Sequence, residues 1–361
     1  MKLFFLFFFL LLSVAVAYVG WHIWHVLPLS KGLRWGVLAV LLACFLSMFL
    51  NFGGLTGRMP LWLGSTIYDV GFSSLIILLY LFITFLVLDL GRLVRLVPKA
   101  LLYDNAITSV SILVLMVGVF VYGNLHYRHK VRETVNLTTD KPLTAKKIVM
   151  VSDLHLGYHN RRAELERWVD IINEEKADLV LVAGDIIDMS MRPLEEERMA
   201  EVFHRLNAPI YACLGNHEYF SGEPAAQRFY DEAGIHLLRD TAQVVGDLCI
   251  VGRDDRTNRH RRSLADIMQG ADRSKFTILL DHQPYHLEEA EQQGIDFQFS
   301  GHTHRGQVWP ISWITDAVYE CSFGPWQRGD THYYISSGIG LWGGKYRIGT
   351  QSEYVVVTIG K

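Results

Sequence analysis

The chain has 361 residues, of which 50% are hydrophobic and 20% are charged, and its mean hydropathy is +0.18. Residues 1–130 contain nine lysines and arginines against three aspartates, a net charge of +6, whereas residues 131–361 carry −9. This length, apolar content and uneven charge exclude a disordered chain, a disulfide-stapled mini-domain and a single uniform globule. The acidic C-terminal part also argues against nucleic-acid binding, which requires a basic surface.

Four nearly uncharged runs in the N-terminal part are long enough to cross a bilayer as α-helices, since a span needs roughly 20 apolar residues. They predict a transmembrane domain over residues 1–125, with spans at about residues 3–28, 35–57, 69–89 and 105–125. Buried core helices are the alternative, but four such runs separated by short loops favour membrane spans. The first run also resembles a secretory signal that is cleaved after Ala17. Because the apolar sequence continues past that residue, we expect an uncleaved span.

The basic residues do not decide how the predicted spans are oriented. With four spans both chain ends share one side, which carries five basic residues near the spans, and the opposite loops also carry five. The sequence therefore predicts a multi-pass membrane protein whose C-terminal domain lies on an undetermined side.

Residues 146–361 have the pattern of alternating β-strands and α-helices, and the polar segment 126–145 before them predicts a linker. Short apolar runs rich in β-branched residues predict strands, whereas apolar residues spaced three and four apart predict helices. The predicted helices are 161–176 and 195–206, and the predicted strands are 147–151, 178–182, 210–214, 243–251, 276–280, 296–299 and 353–359. We expect two packed sheets with helices outside them.

Polar groups with the chemistry of metal ligands follow the predicted strands. Open α/β sheets place ligand sites at the carboxyl ends of their strands, and carboxylate, amide and imidazole groups together suit Mn, Fe, Zn or Mg. Any one of these groups alone is explained by a helix cap or a buried histidine, but five at matched strand ends predict a metal centre. In chain order the groups are Asp153-Leu154-His155, Gly184-Asp185, Gly215-Asn216-His217-Glu218, Asp281-His282 and Gly301-His302-Thr303-His304.

This ordered series of groups resembles the calcineurin-like metallophosphoesterases. The segment 336–340, followed by Arg347-Ile348-Gly349, resembles the bacterial membrane-associated phosphodiesterase branch, although this chain has Thr350-Gln351-Ser352 where that branch often has prolines. The resemblance covers residues 146–361 and implies an α/β fold, a four-layer α/β/β/α metallophosphoesterase sandwich. The predicted molecule is therefore this catalytic domain preceded by an all-α membrane domain.

The resemblance also implies a role for each matching residue. Two divalent metal ions would bind, the first to Asp153, His155 and His304, and the second to Asn216, His282 and His302. Asp185 would bridge both ions, and a hydroxide between them would attack phosphorus. His217 would remain unligated and protonate the leaving oxygen.

Other residues receive less specific predictions. Lys345 and Arg347 follow a glycine-rich turn and are candidate substrate contacts to a phosphate oxygen, with solvated loop charges as an equal alternative. Glu218 is expected to lie behind the metal ligands. For the arginines between residues 253 and 262, a solvated loop is favoured over a site that docks on anionic headgroups. For His159, a solvated surface position is favoured over a position that lines the mouth of the site.

The sequence therefore predicts a membrane-bound, dinuclear-metal-dependent phosphoesterase, with monoester or diester preference left open. Its substrate is a phosphate ester, and the neighbouring membrane suggests a lipid or a lipid-linked one. Three alternatives stay open: a hydrolase for soluble nucleotides or phosphoproteins that uses the helices as an anchor, a catalytically silent membrane sensor or binding protein, and a transporter with an appended domain. No nucleic-acid partner is expected, and no protein partner can be inferred.

Overall fold

A computed structural model describes residues 2–52 and 54–360, with side chains from residue 9 onwards, and divides the chain into two units. The helical unit comprises the residues up to 123 together with 343–345, and the sheet unit comprises 124–342 and the residues from 346 onwards.

The described part of the helical unit contains four helices that are long and apolar enough to cross a membrane. In chain order they are α1 (Lys2–Val26), α2 (Lys31–Phe52), α3 (Leu61–Leu93) and α4 (Ala106–Arg128). α3 begins eight residues before the predicted span, directly after Pro60, because a single carboxylate at Asp69 does not end a helix whose flanking residues are apolar.

Polar contacts and close packing connect these helices. The Tyr18 hydroxyl on α1 donates to Asp89 Oδ2 on α3 at 2.8 Å, and the buried ring of His22 places Nε2 3.0 Å from the same oxygen. A Cβ on Gly71 of α3 would lie 2.6 Å from the Met48 backbone nitrogen of α2. Small residues of this kind let membrane helices approach closely.

The sheet unit contains two six-stranded mixed sheets. The first has the order β1-β12-β2-β3-β4-β5, and the second has the order β10-β11-β9-β8-β7-β6. The strands are β1 (Lys130–Thr138), β2 (Lys146–Val151), β3 (Leu179–Ala183), β4 (Ile210–Cys213), β5 (His236–Leu237), β6 (Thr241–Val245), β7 (Leu248–Gly252), β8 (Phe276–Leu280), β9 (Phe297–Ser300), β10 (Gly324–Arg328), β11 (Thr331–Ile335) and β12 (Ser352–Gly360).

Three buried clusters make these sheets the inner layers of a sandwich. One lies between the sheets and includes Ile148 and Phe299, and the other two join each sheet to its outer helices through residues such as Trp168 and Ile267. The predicted α/β sandwich is thus confirmed. Its helices are α5 (Arg162–Glu174), α6 (Arg192–Glu196), α7 (Ala200–Phe203), α8 (Asn216–Ser221), α9 (Glu223–Glu232), α10 (Leu264–Met268), α11 (Glu288–Gln292) and α12 (Ile311–Val318).

The structure corrects several predicted elements. The segment 126–145 is not a linker throughout, because β1 pairs in parallel with β12 along its whole length. β1 was not predicted because it is an edge strand with one exposed face and therefore lacks a continuous apolar run. The run 243–251 is a hairpin of β6 and β7 that turns at Gly246, where φ is +60°. Helix 195–206 is two short helices, and β10 and β11 carry too many polar residues to be predicted.

Candidate metal centre

The predicted ligand groups converge at one edge of the two sheets. Strands β2, β3 and β4 run parallel in the first sheet, as do β7, β8 and β9 in the second. Their carboxyl ends therefore face the same edge. The loops that follow β2, β3, β4, β8 and β9 carry the seven predicted ligands Asp153, His155, Asp185, Asn216, His282, His302 and His304.

These loops have an unusual backbone. Asp153, His155, Asp185, His302 and His304 all have positive φ, between 47° and 71°, which residues with a Cβ adopt at a cost. Clustered residues of this kind mark functional sites whose surroundings over-determine the conformation.

Two glycines allow the loops to approach each other. A Cβ on Gly301 would lie 2.2 Å from Asp153 Oδ2, and one on Gly215 would lie 2.1 Å from Asp185 Oδ1. Neither position can accept a larger residue while the carboxylate keeps its place.

The first cluster of ligand atoms consists of Asp153, His155 and His304. The two Nε2 atoms of His155 and His304 are 3.0 Å apart. Asp153 Oδ1 lies 3.5 Å from His304 Nε2 and 3.7 Å from His155 Nε2. All three side chains are buried, so these atoms enclose a small polar space.

The second cluster is arranged around His282. Its Nε2 lies 3.0 Å from Asp185 Oδ2 and 3.2 Å from Asn216 Oδ1, and the His302 ring centre lies 5.2 Å from the His282 ring centre. Asp185 Oδ2 is also 3.7 Å from His155 Nε2. One carboxylate therefore faces both clusters.

The residues present fit divalent cations. His282 Nδ1 lies 2.7 Å from the Ala183 carbonyl oxygen, and a proton on Nδ1 makes this a hydrogen bond and leaves the Nε2 lone pair facing the Asp185 carboxylate. His282 Nε2 and Asp185 Oδ2 then both carry lone pairs and lie 3.0 Å apart, so a cation or a proton is needed between them. His304 Nδ1 is buried without a hydrogen-bond partner among the described residues. Oxygen and imidazole ligands without a thiolate are compatible with Mn, Fe, Zn or Mg.

The electrostatics of the centre also favour positive charge. Burial disfavours a charged Asp185, but the neighbouring imidazoles, above all His282, hold the pKa of its carboxyl well below the usual value. Burial likewise opposes protonation of His155, but contacts with Asp153 and Asp188 raise the pKa of its imidazole to about 10. In contrast, burial lowers the pKa of His302 to about 4, so this ring stays neutral near pH 7 and keeps a lone pair for a cation.

His217 and an aspartate missed by sequence reasoning form a pair beside the clusters. Asp188 Oδ1 lies 3.1 Å from His217 Nδ1 and 3.4 Å from His155 Nδ1, and Asp188 is buried. The backbone nitrogen of His217 donates to Asp185 Oδ1 at 2.9 Å. His217 also has an atom within ligand distance of His155 and Asp185, so its role as an unligated residue stays a prediction.

Glu218 lies behind the ligand loops, as expected. Its carboxylate accepts hydrogen bonds from the backbone nitrogens of Gly215, Asp185 and Ile187 at 2.7, 3.1 and 3.0 Å. Burial raises the pKa of this carboxyl, and the nearby Asp185 adds to that effect. Glu218 therefore joins the loops after β3 and β4 and positions Asp185 through its backbone.

The substrate contact predicted for Arg347 is wrong. The side chain is fully buried, and its guanidinium donates to the carbonyl oxygens of His304 and Gly340 at 2.8 and 3.2 Å and to Ser352 Oγ at 3.0 Å. These partners, with the Ser337 carbonyl, use the donors that a phosphate would need. Lys345 lies in the segment 343–345 of the helical unit, and its substrate contact stays a prediction.

Two further expectations are corrected. The solvated loop predicted for the arginines between 253 and 262 holds for Arg259 and Arg262, which are exposed. It does not hold for Arg253, whose Nη1 lies 2.6 Å from Glu289 Oε2, or for Arg261, whose Nη1 lies 3.2 Å from Asp281 Oδ1. His159 is buried, and its Nε2 contacts the Leu341 carbonyl oxygen. Such partners come from segments distant in the chain, which local patterns do not reveal.

Comparison with known proteins gives matches over both parts of the chain. The family model for calcineurin-like phosphoesterases matches residues 146–306. An uncharacterized metallophosphoesterase of Aquifex aeolicus (strain VF5) is 32% identical over 226 residues, which cover 60% of this chain and 85% of that protein. A Danio rerio transmembrane protein with a metallophosphoesterase domain is 28% identical over 353 residues, which cover 89% of this chain and 78% of that protein.

An uncharacterized metallophosphoesterase of Helicobacter pylori (strain ATCC 700392 / 26695) is 29% identical over 232 residues, or 63% of this chain. The matched region spans 62% of that relative's length.

Proposed function

This chain belongs to the calcineurin-like metallophosphoesterases, and on that premise we propose that it is a membrane-bound, dinuclear-metal-dependent hydrolase of phosphate esters. The observation that carries the proposal is the position of Asp185, whose Oδ2 lies 3.0 Å from His282 Nε2 and 3.7 Å from His155 Nε2. Two cations roughly 3.5–4 Å apart repel each other, and a carboxylate shared between them offsets this repulsion.

The clusters supply a ligand set for each cation. Asp153, His155 and His304 would hold the first, Asn216, His282 and His302 would hold the second, and Asp185 would contribute to both. When bound, two divalent cations would neutralise charge on the phosphoryl oxygens and bring the pKa of a water molecule close to 7.

We assign to His217 the transfer of a proton to the leaving oxygen. Its Nδ1 faces the Asp188 carboxylate at 3.1 Å, so a proton on Nδ1 fixes the ring orientation and leaves Nε2 to donate. The carboxylate also stabilises the charged imidazolium from which that proton departs. Asp188 would therefore act as a positioning residue for the catalytic His217.

An exposed aromatic side chain beside this pair supports an amphiphilic substrate. The Phe220 ring centre lies 5.2 Å from that of His217, and Phe220 is 55% exposed. An apolar group attached to the leaving oxygen would cover this ring and gain the free energy of burying apolar area. Phosphate esters of lipids have this chemistry, and the four apolar helices α1–α4 support a membrane location, where such esters occur.

Hydrolysis assays on the full chain in lipid nanodiscs test the proposal. Bis-p-nitrophenyl phosphate, p-nitrophenyl phosphate and phosphatidic acid should be compared before chelation, after chelation, and after addition of Mn, Zn, Fe or Mg. We expect turnover of at least one substrate that a chelator abolishes and one of these metals restores. Asp266→Asn, a change at an exposed position outside the centre, should behave like the unmodified chain. Turnover unaffected by chelation, or absent with every metal, would contradict the proposal.

A further inference from the structure

Helix α12 of the sheet unit exposes its apolar residues and buries a hydroxyl group. Trp313, Ile314 and Val318 are 64%, 58% and 61% exposed, and with Ala317 they occupy positions i, i+1, i+4 and i+5, which form one helix face. The buried residue of the helix is Ser312. A helix that packs on a core and faces water has the reverse arrangement, because exposed apolar area raises the free energy.

Trp309 extends this apolar face beyond the start of the helix. Its ring centre lies 5.4 Å from that of Trp313, with the two planes 86° apart. The only charged side chain of α12, Asp316, accepts a hydrogen bond from the Ser322 hydroxyl. We call Trp309, Trp313, Ile314, Ala317 and Val318 the docking face, and it carries no charge that could pair with a charged protein surface.

We propose that the docking face lies in the interfacial layer of the bilayer that holds α1–α4. Tryptophan favours the membrane–water interface, and amphipathic helices lie there with their apolar face towards the acyl chains. This inference rests on the membrane location proposed above and does not depend on hydrolase activity.

The chain itself brings a lipid-facing surface to the sheet unit. Helix α4 exposes apolar side chains as far as Leu125, which is 62% exposed, and β1 begins five residues later at Lys130. Residues 124–128 at the end of α4 belong to the sheet unit, and there the Tyr127 hydroxyl donates to Asn160 Oδ1 at 2.7 Å. The sheet unit therefore begins with the exposed apolar Leu125 directly after a proposed membrane span, and a bilayer is the apolar phase next to this part of the chain.

Contacts with residues 302–304, which include two proposed metal ligands, connect the docking face to the metal centre. Thr303, between two proposed ligands, donates from Oγ1 to the Ser322 carbonyl oxygen at 2.7 Å, and the Ser322 hydroxyl donates to Asp316 on α12. On the other side, Tyr319 directly follows α12, and its ring centre lies 6.5 Å from that of His302. Seating α12 in the interface would therefore fix the distance of the centre from the membrane surface.

A spin label at position 314 tests the location of the docking face. The label is attached to Ile314→Cys in the full chain, in a Cys44→Ala background because the other three cysteines are buried, and the chain is reconstituted in phosphatidylcholine–phosphatidylglycerol nanodiscs. Collision with oxygen, which concentrates in lipid, is compared with collision with a water-soluble nickel chelate. Ala265→Cys on α10 is the control, since it is an exposed helix position of the same unit.

The label at 314 is expected to collide more with oxygen and less with nickel than the label at 265. High nickel accessibility at 314 would overturn the proposal, because the face would then lie in water. Low accessibility to both reagents would also overturn it, because a second copy or another protein would then cover the face.

A second measurement separates this proposal from the proposed function. Ile314→Gln should lower turnover of phosphatidic acid in the nanodisc several-fold relative to turnover of water-soluble bis-p-nitrophenyl phosphate. An unchanged ratio would contradict a role for docking in substrate access. If the unmodified chain hydrolyses none of the three test compounds with any metal, the proposed function fails while the spin-label result still decides the location of α12.

Discussion

Asp185 and Asp188 leave the same loop three residues apart, and they face different parts of the centre. Asp185 Oδ2 faces the imidazoles of His282 and His155, whereas Asp188 Oδ1 faces His217 Nδ1. Under the proposed function, the first carboxylate would bind cations and the second would orient the imidazole of His217. We therefore expect different effects from replacing His217, the proposed general acid, and from replacing the proposed metal ligands.

Replacing His217 should affect turnover and not metal content. His217→Ala should keep both metal ions and lose a factor of ~10²–10⁴ in kcat for a substrate with an alkoxide leaving group, since proton transfer from a placed side chain contributes about that much. The loss should shrink with p-nitrophenolate, which hardly needs a proton. Metal content and kcat for both substrates are measured side by side.

The companion variant Asp188→Asn should show the same dependence on the leaving group with a smaller loss, because His217 remains but loses its orienting carboxylate. If His217→Ala loses a metal ion, or if both substrates suffer equally, His217 is a ligand or a phosphate-positioning residue.

Arg347 should affect stability before it affects substrate binding. Arg347→Met leaves the carbonyl oxygens of Gly340 and Ser337 without their donor, and each unpaired buried group costs about 1–3 kcal/mol. We expect a clear loss of the unfolding free energy measured by chemical denaturation in detergent. A variant of normal stability whose KM alone rises would instead show that Arg347 contacts substrate.

The positions of the proposed ligand residues were easier to predict from the sequence than the residues that support them. Asp153, Asp185 and His302 follow buried strands, and strand ends are visible as apolar runs that stop at polar residues. Asp188 was recognisable in principle, since it follows Asp185 by three residues in the same loop. Arg347 was not, because its partners come from three separate segments, and burial of a charged side chain depends on tertiary packing.

At the scale of elements, β1 is held to the first sheet by more than its ladder. Arg132 on β1 places Nε 2.6 Å from Glu175 Oε1, just after α5, and Lys147 on β2 places Nζ 2.7 Å from Glu175 Oε2. The Tyr354 hydroxyl on β12 also donates to this carboxylate, at 3.1 Å. One side chain thus connects three neighbouring strands at the sheet edge.

This carboxylate should make stability depend on pH. The hydrogen bond with Arg132, supported by Lys147, lowers the pKa of Glu175 from 4.5 to about 2. A carboxyl whose folded pKa is lowered contributes stability above its unfolded pKa and loses it as the pH falls from 4.5 towards 2. Glu175→Gln should therefore unfold at a lower temperature than the unmodified chain at pH 7, with the difference disappearing towards pH 2.

Thermal unfolding in detergent at several pH values measures this effect. Glu174→Gln is the matched control, because its side chain is the exposed neighbour of Glu175. A constant difference across this pH range would mean that the ion pairs do not stabilise the sheet edge.

The spacing of apolar residues predicted whether most segments form a strand or a helix. It did not predict where several of these elements begin and end. The fully buried β3 and β8 appear as continuous apolar runs because both faces of each strand are covered. β1 and β10 pair at sheet edges, where alternating exposed residues hide the strand. The β6–β7 turn lies at a single glycine within an apolar run.

At the scale of the whole molecule, four membrane-spanning helices would place both chain ends on the same side of the membrane. Tags at both chain ends should report the same side of a sealed vesicle, and a tag at the exposed Ser30, between α1 and α2, should report the opposite side. Protease accessibility measures all three. Opposite accessibility of the two end tags would show that one helix does not span the membrane, and loss of the N-terminal tag would show cleavage of the first run.

The most direct test of a dinuclear hydrolytic centre is the metal content of the Asp185→Asn variant, measured together with its turnover. Because one Asp185 carboxylate would contribute to both ions, the variant should fall from about two bound ions per chain to one or fewer and lose turnover. Asp170→Asn, an exposed change on α5, should retain both ions and full activity. Two tightly bound ions with near-normal turnover in Asp185→Asn would contradict the account.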